Sequence, residues 1–137
     1  MSASQRASVS VLMSVHNGVP WVRDAVASVL AQTARDIELI VVDDGSTDST
    51  PAVLAAIRDP RLRVYREPHA GLTRSLNRAL RLATAPLVAR LDADDFALPE
   101  RLERQRAFLE AHPEVGVLGT GAREVDAAGR EVGRVRP

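Results

Sequence analysis

The sequence contains no cysteine and no lysine, carries no formal net charge and holds no long apolar run. Without cysteine, disulfides, zinc-thiolate sites and thiol catalysis are all excluded. Without lysine, a lysine nucleophile or Schiff base is excluded, and all 18 basic residues are arginine. Zero net charge argues against a general polyanion binder, so no nucleic-acid partner is expected. The longest apolar run near the N-terminus, Val9 to Val15, is broken by serines and too short to span a membrane. The charged start and cleavage site of a signal peptide are missing as well. A soluble, cytoplasmic chain is expected, with peripheral attachment of a longer protein to the inner membrane face left open.

What is present suits one domain. The chain has 137 residues and an apolar fraction of 45%, enough for a real core. Ser8 to Val15 reads as a first strand, followed by the loop signal His16-Asn17-Gly18. Pro20 opens a helical pattern carried by Val22, Ala25, Val26, Val29 and Leu30. Ile37 to Val42 is a second strand that ends in Asp43-Asp44-Gly45-Ser46. Asp48 or Ser49 can cap the next helix, with Val53, Leu54 and Ile57 inward. A third strand is expected over Leu62 to Tyr65, and a helix from about Gly71 with Leu72, Leu76, Ala79, Leu80 and Ala83 as its stripe. Leu87 to Leu91 is the fourth strand, and Pro99 opens a helix with Leu102 and Leu109 inward. Val115 to Leu118 resembles a fifth strand, and Ala122 to Val125 and Val132 to Val135 a hairpin about Ala127-Ala128-Gly129. Four strand–helix alternations with short loops specify an α/β fold: three α/β/α layers around a mainly parallel, Rossmann-like sheet.

The polar residues gather at expected strand ends. Asp92-Ala93-Asp94-Asp95 puts three carboxylates in four residues after the fourth strand. Such acids repel one another unless a cation sits among them, and a hard divalent ion completed by phosphate oxygens is the natural candidate. In a parallel sheet these ends share one edge, where a ligand crosses the crevice at the reversal of strand order. The Asp43-Asp44 pair can accept hydrogen bonds from a base or ribose. Arg74 and Arg90 lie closest to this edge and can meet a phosphate.

Structural readings stand beside each of these. Asp-Asp-Gly-Ser-Thr-Asp is a good turn and helix-cap sequence without any ligand. The later cluster can cap the following helix, with Asp95 as the capper. His16, His69 and His112 read as solvated loop residues. Arg61, Arg63 and Arg66 alternate as a strand's exposed face, and Arg74, Arg78 and Arg81 follow helical spacing opposite the leucine stripe.

Taken together, the motifs resemble those of the family 2 glycosyltransferases over roughly residues 8 to 121. Val9 to Gly18 is similar to that family's opening strand, and Val41-Val42-Asp43-Asp44-Gly45-Ser46-Thr47-Asp48 to its second-strand signature. Gly71-Leu72 through Leu76-Asn77 resembles its third helix, and Ala89 to Asp95 its Asp-x-Asp motif. Pro99-Glu100-Arg101-Leu102, Gln105, His112-Pro113 and Gly119 continue the likeness. The resemblance implies a GT-A fold and transfer of a sugar from a nucleotide-diphosphate donor, with inversion at the anomeric carbon. It implies that Val15, His16, Asn17 and Asp44, with Asp43 secondarily, bind the nucleotide. Asp92 with Ala93, and Asp94, would serve the ribose and a Mg²⁺ or Mn²⁺ bridging the diphosphate, with Asp95 a further metal ligand. The acceptor would be a glycan or lipid-linked sugar of unspecified structure.

One departure stands out. Members usually continue well beyond this length and supply an acidic general base, which inverting transfer needs to take the acceptor's proton. Glu124 and Asp126 lie in the expected hairpin without a recognisable motif. Residues 1–137 are therefore expected to be a single nucleotide-diphospho-sugar-binding domain lacking its C-terminal acceptor half. His69 also stands where relatives often carry asparagine. Two other readings remain: a nucleotide-binding or interaction module without catalysis, and a sugar nucleotidyltransferase. The second expects a basic glycine-rich loop after the first strand, and residues 16–20 contain no basic residue. A cut sheet leaves an unpaired edge, so a homodimer through that edge or the hairpin is expected.

Overall fold

The computed structural model describes residues 6–136. The elements are β1 (Val9–Val15), α1 (Val22–Leu30), β2 (Ile37–Asp44), α2 (Thr50–Ala55), β3 (Leu62–Glu67) and α3 (Leu72–Leu82). They continue with β4 (Leu87–Arg90), α4 (Arg101–Ala111), β5 (Ala122–Val125) and β6 (Glu131–Val135). β1 to β4 form a parallel sheet in the order β3-β2-β1-β4, so β2 and β1 are central while β3 and β4 form its edges. Every residue of β2 is buried, as expected of a Val/Ile/Leu run covered on both faces.

The two faces have different covers. Val9, Val11, Met13 and Val15 alternate onto one face, where Val22, Val26 and Val29 of α1 pack with Leu54 and Leu102. Leu12, Ile40 and Val42 point to the other face, against Ala79, Leu76 and Leu82 of α3. This is the three-layer α/β/α arrangement expected from the alternation.

The chain divides into two compact units between Arg104 and Gln105. The second contains the β5–β6 hairpin, whose turn is closed by Asp126: its Oδ1 accepts from the amides of Ala128 and Arg130, and its Oδ2 from Arg130 Nε.

Several local expectations are corrected. Val115 to Leu118 forms no strand, and Val117 is 91% exposed. The segment pairs with no strand among the described residues, and extended backbone without a ladder partner gains nothing over coil. β3 runs two residues past Tyr65 because Asp43 and Asp44 continue the ladder opposite Arg66 and Glu67. Asp95 caps no helix: α4 begins at Arg101, and the Asp95 amide instead closes a turn onto the Asp92 carbonyl. Arg63 is not a merely solvated residue of an exposed face. Its guanidinium bonds Glu38, the Tyr65 hydroxyl and the Leu82 carbonyl.

Candidate active site

Strand register brings the expected site residues to one edge. Val15 of β1 lies opposite Asp43 of β2, and Leu12 of β1 opposite Arg90 of β4. The chain progresses outward from β1 through β2 to β3 on one side, while β4 lies on the other. The β1–β4 boundary is therefore the topological switch point, where open α/β sheets bind ligands.

Two loops at this edge are joined by hydrogen bonds. Asn17 sits at φ 51°, a left-handed conformation that asparagine tolerates better than most residues. There its Oδ1 accepts from the amides of Thr47 (2.8 Å) and Asp48 (3.2 Å), while its own amide donates to Ser46 Oγ. Gly18 N donates to Thr50 Oγ1 at 2.8 Å, and Val19 N to Asp48 Oδ2. Asp48, one residue before the Ser49 N-cap, also accepts from Thr50 N, the first amide of α2, at 2.9 Å; Ser49 itself makes no side-chain cap bond.

The adjacent aspartates have separate tasks. Asp43 is buried on the α1 side, with Oδ1 accepting from Ser46 N at 3.0 Å. Its Oδ2 has no hydrogen-bond partner, and Arg66 Nε stands 3.8 Å away. Asp44 points to the α3 side, where its two oxygens accept from the amides of Ala70 (2.7 Å) and Gly71 (2.9 Å). Burial pushes the Asp44 carboxyl up, but those amides, the Ser75 hydroxyl and His69 outweigh it and hold it below the ordinary carboxylate value. Gly45, at φ +68°, lets the chain pass so close to His69 that a Cβ would lie 2.7 Å from the His69 nitrogen. A cavity of about 340 Å³ opens beside Asp44, bordered by His69, Arg74, Ser75 and Arg78.

The acidic loop is built differently. Arg90 holds Asp92 through Nε and Nη2, both at 2.9 Å from Oδ1. Partial desolvation, then the charges of Asp94 and Asp92, push the Asp95 carboxyl above its ordinary value against the pull of Arg101 and Arg90. Beyond the acids the chain is tied to α1. Buried Gln32 donates to the Leu98 carbonyl at 2.7 Å and accepts from Leu102 N at 3.0 Å, and Ser28 Oγ accepts from Ala97 N.

Val15, His16, Asn17, Asp43, Asp44, Arg74, Asp92, Ala93, Asp94 and Asp95 thus belong to loops or element ends along this edge. Val15 is buried at the end of β1, beneath this edge. Among the described residues, the three acids of the 92–95 loop do not bring ligand atoms within 4.8 Å of one another; His16, Asp44 and His69 do. His69 is an exposed loop residue, as expected, but it also donates from Nδ1 to Asp44 and packs against His16, contacts its sequence context does not announce. Gln32 was also missed, although it continues the buried stripe of α1 three residues past Val29. A polar residue in an apolar register was the available signal.

Comparison with known proteins gives a consistent set of likenesses. The family model described as Glycosyl transferase family 2 matches residues 10–133. EpsE of Bacillus subtilis, a glycosyltransferase by name, is 38% identical over 133 residues, covering 94% of this chain and 48% of that protein. The amylovoran biosynthesis glycosyltransferase AmsE of Erwinia amylovora is 36% identical over 127 residues, 89% of this chain and 48% of its own length. The chain therefore spans about half of each of these two relatives. Among solved structures, the mannosyltransferase PcManGT of Pyrobaculum calidifontis, in complex with GDP-Man and Mn²⁺, superposes with a TM-score of 0.73 at 31% identity. That match covers 81% of this chain and 34% of PcManGT. Residues 1–349 of S. aureus TarS, in complex with UDP-GlcNAc, give a TM-score of 0.73 at 29% identity, over 77% of this chain and 32% of that one.

Proposed function

The chain belongs to glycosyl transferase family 2, and from that premise we propose that it is the donor-binding part of an inverting glycosyltransferase. The observation that carries this reading is the convergence, at one sheet edge, of the joined 16–20 and 45–50 loops with the acidic loop at 92–95. PcManGT, bound to GDP-Man and Mn²⁺, and TarS, bound to UDP-GlcNAc, support a nucleotide-sugar donor.

In this reading Val15, His16, Asn17 and Asp44, with Asp43 behind them, receive the nucleoside. Asp92 and Ala93 meet the ribose, and Arg74, exposed at the start of α3, reaches a phosphate. Asp92, Asp94 and Asp95 hold Mg²⁺ or Mn²⁺. The donor set fits such an ion, because it is all oxygen, and partial desolvation followed by the charges of Asp94 and Asp92 pushes the Asp95 carboxyl up, a strain that a cation relieves. When bound, the ion supplies Lewis-acid stabilisation of the departing nucleoside diphosphate. The protein's own part is to fix the nucleoside on a rigid surface and to hold Asp92 in place through Arg90. The general base, the glycan or lipid-linked acceptor, and pairing of two copies through a sheet edge belong to the same proposal but to surfaces outside this site.

Calorimetry of the chain with UDP and GDP tests the reading. Binding is expected only with Mn²⁺ or Mg²⁺ present, and Asp94→Ala should abolish it while leaving the circular dichroism spectrum unchanged. Equal nucleotide affinity with and without metal would overturn the assignment of the acidic loop. A non-catalytic nucleotide-binding module is the second reading, favoured by the engagement of Asp126 in a hairpin turn rather than in a free acidic site. That module predicts the same binding and no sugar transfer by the longer protein.

A further inference from the structure

Acids are spread through most of this chain, but residues 68–91 hold none, and they carry Arg74, Arg78, Arg81 and Arg90. The neutrality of the whole therefore hides a local excess of positive charge. α3 concentrates it. Of the four helices among the described residues, α1 offsets Arg23 with Asp24, α2 is uncharged, and α4 mixes three arginines with two glutamates. α3 carries three arginines and no acid.

The fold turns these charges outward. Ser75 and Ala79 of α3 are buried, and Leu76 and Leu82 pack against the sheet beside Ala79. At 3.6 residues per turn, Asn77, Arg74 and Arg81 then lie on the outer side of the helix, with Arg78 on one flank and Leu80 on the other. Arg78 is partly neutralised by Glu67 at 3.0 Å. Arg74 and Arg81 are exposed and have no ion pair or hydrogen bond among the described residues. Leu80 is half exposed, and so is Val88 of β4. Ser10 and Leu12 alternate onto the face that α3 covers, and Val88, the register partner of Ser10, shares that face.

Unpaired guanidinium groups bordered by exposed aliphatic side chains match a surface that is anionic outside and apolar beneath. Arginine binds phosphate bidentately, and anionic bilayers attract such clusters at short range. Aliphatic side chains beside them enter the boundary between head groups and acyl chains. A nucleic acid would answer the charge but offers Leu80 and Val88 no apolar layer. No helix of the described residues is long and apolar enough to cross a membrane, so attachment through α3 lies in the plane of a surface.

We propose that the α3 face docks this chain on an anionic membrane, with the phosphodiester head groups of acidic lipids as its partner. The Gly71 amide at the start of α3 is bonded to Asp44, so the docking helix begins at the ligand edge and leaves that edge open at its N-terminal end. Docking goes beyond donor binding and does not depend on it.

Co-sedimentation of the untagged chain with vesicles tests this, using phosphatidylcholine alone or mixed equally with phosphatidylglycerol. Binding is expected only to the anionic vesicles and should be lost at high salt. Arg81→Gln should weaken it about fivefold and Arg81→Glu about twenty-five-fold, because each unit of charge near such a surface changes binding by roughly a factor of five. Arg81 is exposed and unpaired, so both variants should keep the wild-type circular dichroism spectrum and the Mn²⁺-dependent affinity for UDP. Loss of docking and loss of donor binding are thereby read separately. Arg23→Glu makes the same change in net charge on α1, across the sheet, and should leave vesicle binding intact. Equal binding to neutral vesicles, an Arg23→Glu defect as large as that of Arg81→Glu, or tighter binding to duplex DNA than to anionic vesicles would each overturn the proposal.

Discussion

The loops after β1 and β2 satisfy their polar groups within the protein, Asp43 Oδ2 excepted, whereas the loop after β4 leaves most of its charge to whatever arrives. Asn17 alone accepts from two amides of the neighbouring loop, and Asp44 has an amide on each oxygen. At 92–95, one arginine serves Asp92, while partial desolvation and then the charges of Asp94 and Asp92 push the Asp95 carboxyl above its ordinary value. The first surface is preorganised, since its shape is set before any ligand binds. The second stores repulsion that a cation relieves. A nucleoside, which is read by shape and hydrogen bonds, suits the first. A diphosphate with its metal, which is read by charge, suits the second.

The comparison breaks most visibly at Gly45. Adding a methyl there places a side chain on left-handed backbone and drives it toward the main-chain nitrogen of His69, which cannot rotate away. Gly45→Ala is expected to cost about 2–4 kcal/mol, combining backbone strain with overpacking. Urea denaturation would measure this as a lower midpoint with an unchanged slope. A loss below about 1 kcal/mol would mean that the two loops are not rigidly apposed.

A smaller effect is expected at Glu38, which shows what full satisfaction does to a carboxylate. Burial raises its pKa, but Ser10, the Thr84 amide and hydroxyl, and Arg63 together lower it below the ordinary 4.5. A depressed folded-state value means that the stabilisation is fully present above about pH 4.5 and is lost as pH falls through the folded pKa. Glu38→Gln should therefore cost about 1–3 kcal/mol at neutral pH, since hydrogen bonds to a charged group are replaced by neutral ones. The difference from wild type should shrink in acid. Parallel stability curves down to pH 3 would show that Glu38 is not held ionised.

How much of this was legible depended on whether the signal was local. The buried strand β2 could be read from Ile37 to Val42 because a run of apolar residues has few other uses, and α1 from its 3.6-residue period. The acidic loop was legible because three carboxylates in four residues are conspicuous in any context. What failed was non-local. Val115 to Leu118 has strand-like composition, but a strand also needs a neighbour, which composition cannot supply. His69 is the exposed loop residue it looked like, but its contacts could not be read locally, because His16 and Asp44 are 53 and 25 positions away in sequence. Arg63 looked solvated for the same reason, with Glu38 lying 25 residues earlier. The resemblance supplied the proposed donor site, but it carried no information on a histidine that departs from the usual pattern.

The smallest expected effect has the opposite sign, and it separates the two surfaces most cleanly. The Asp95 carboxyl is raised above the ordinary 3.8, by partial desolvation first and by Asp94 and Asp92 next. A raised value in the folded state means that the charged form is disfavoured there, so stability declines as pH rises through that value. Asp95→Asn removes this repulsion and should slightly raise the urea midpoint at pH 7, with the gain fading below pH 4. Solvent exposure and salt screening keep the gain small. Mn²⁺ should cancel it from the other side by stabilising wild type more than the variant, because the same charges that repel one another recruit the ion. If Asp95→Asn instead lowered the midpoint at neutral pH, this carboxylate would be a structural partner like Glu38. The acidic loop would then belong with the satisfied loops rather than opposite them.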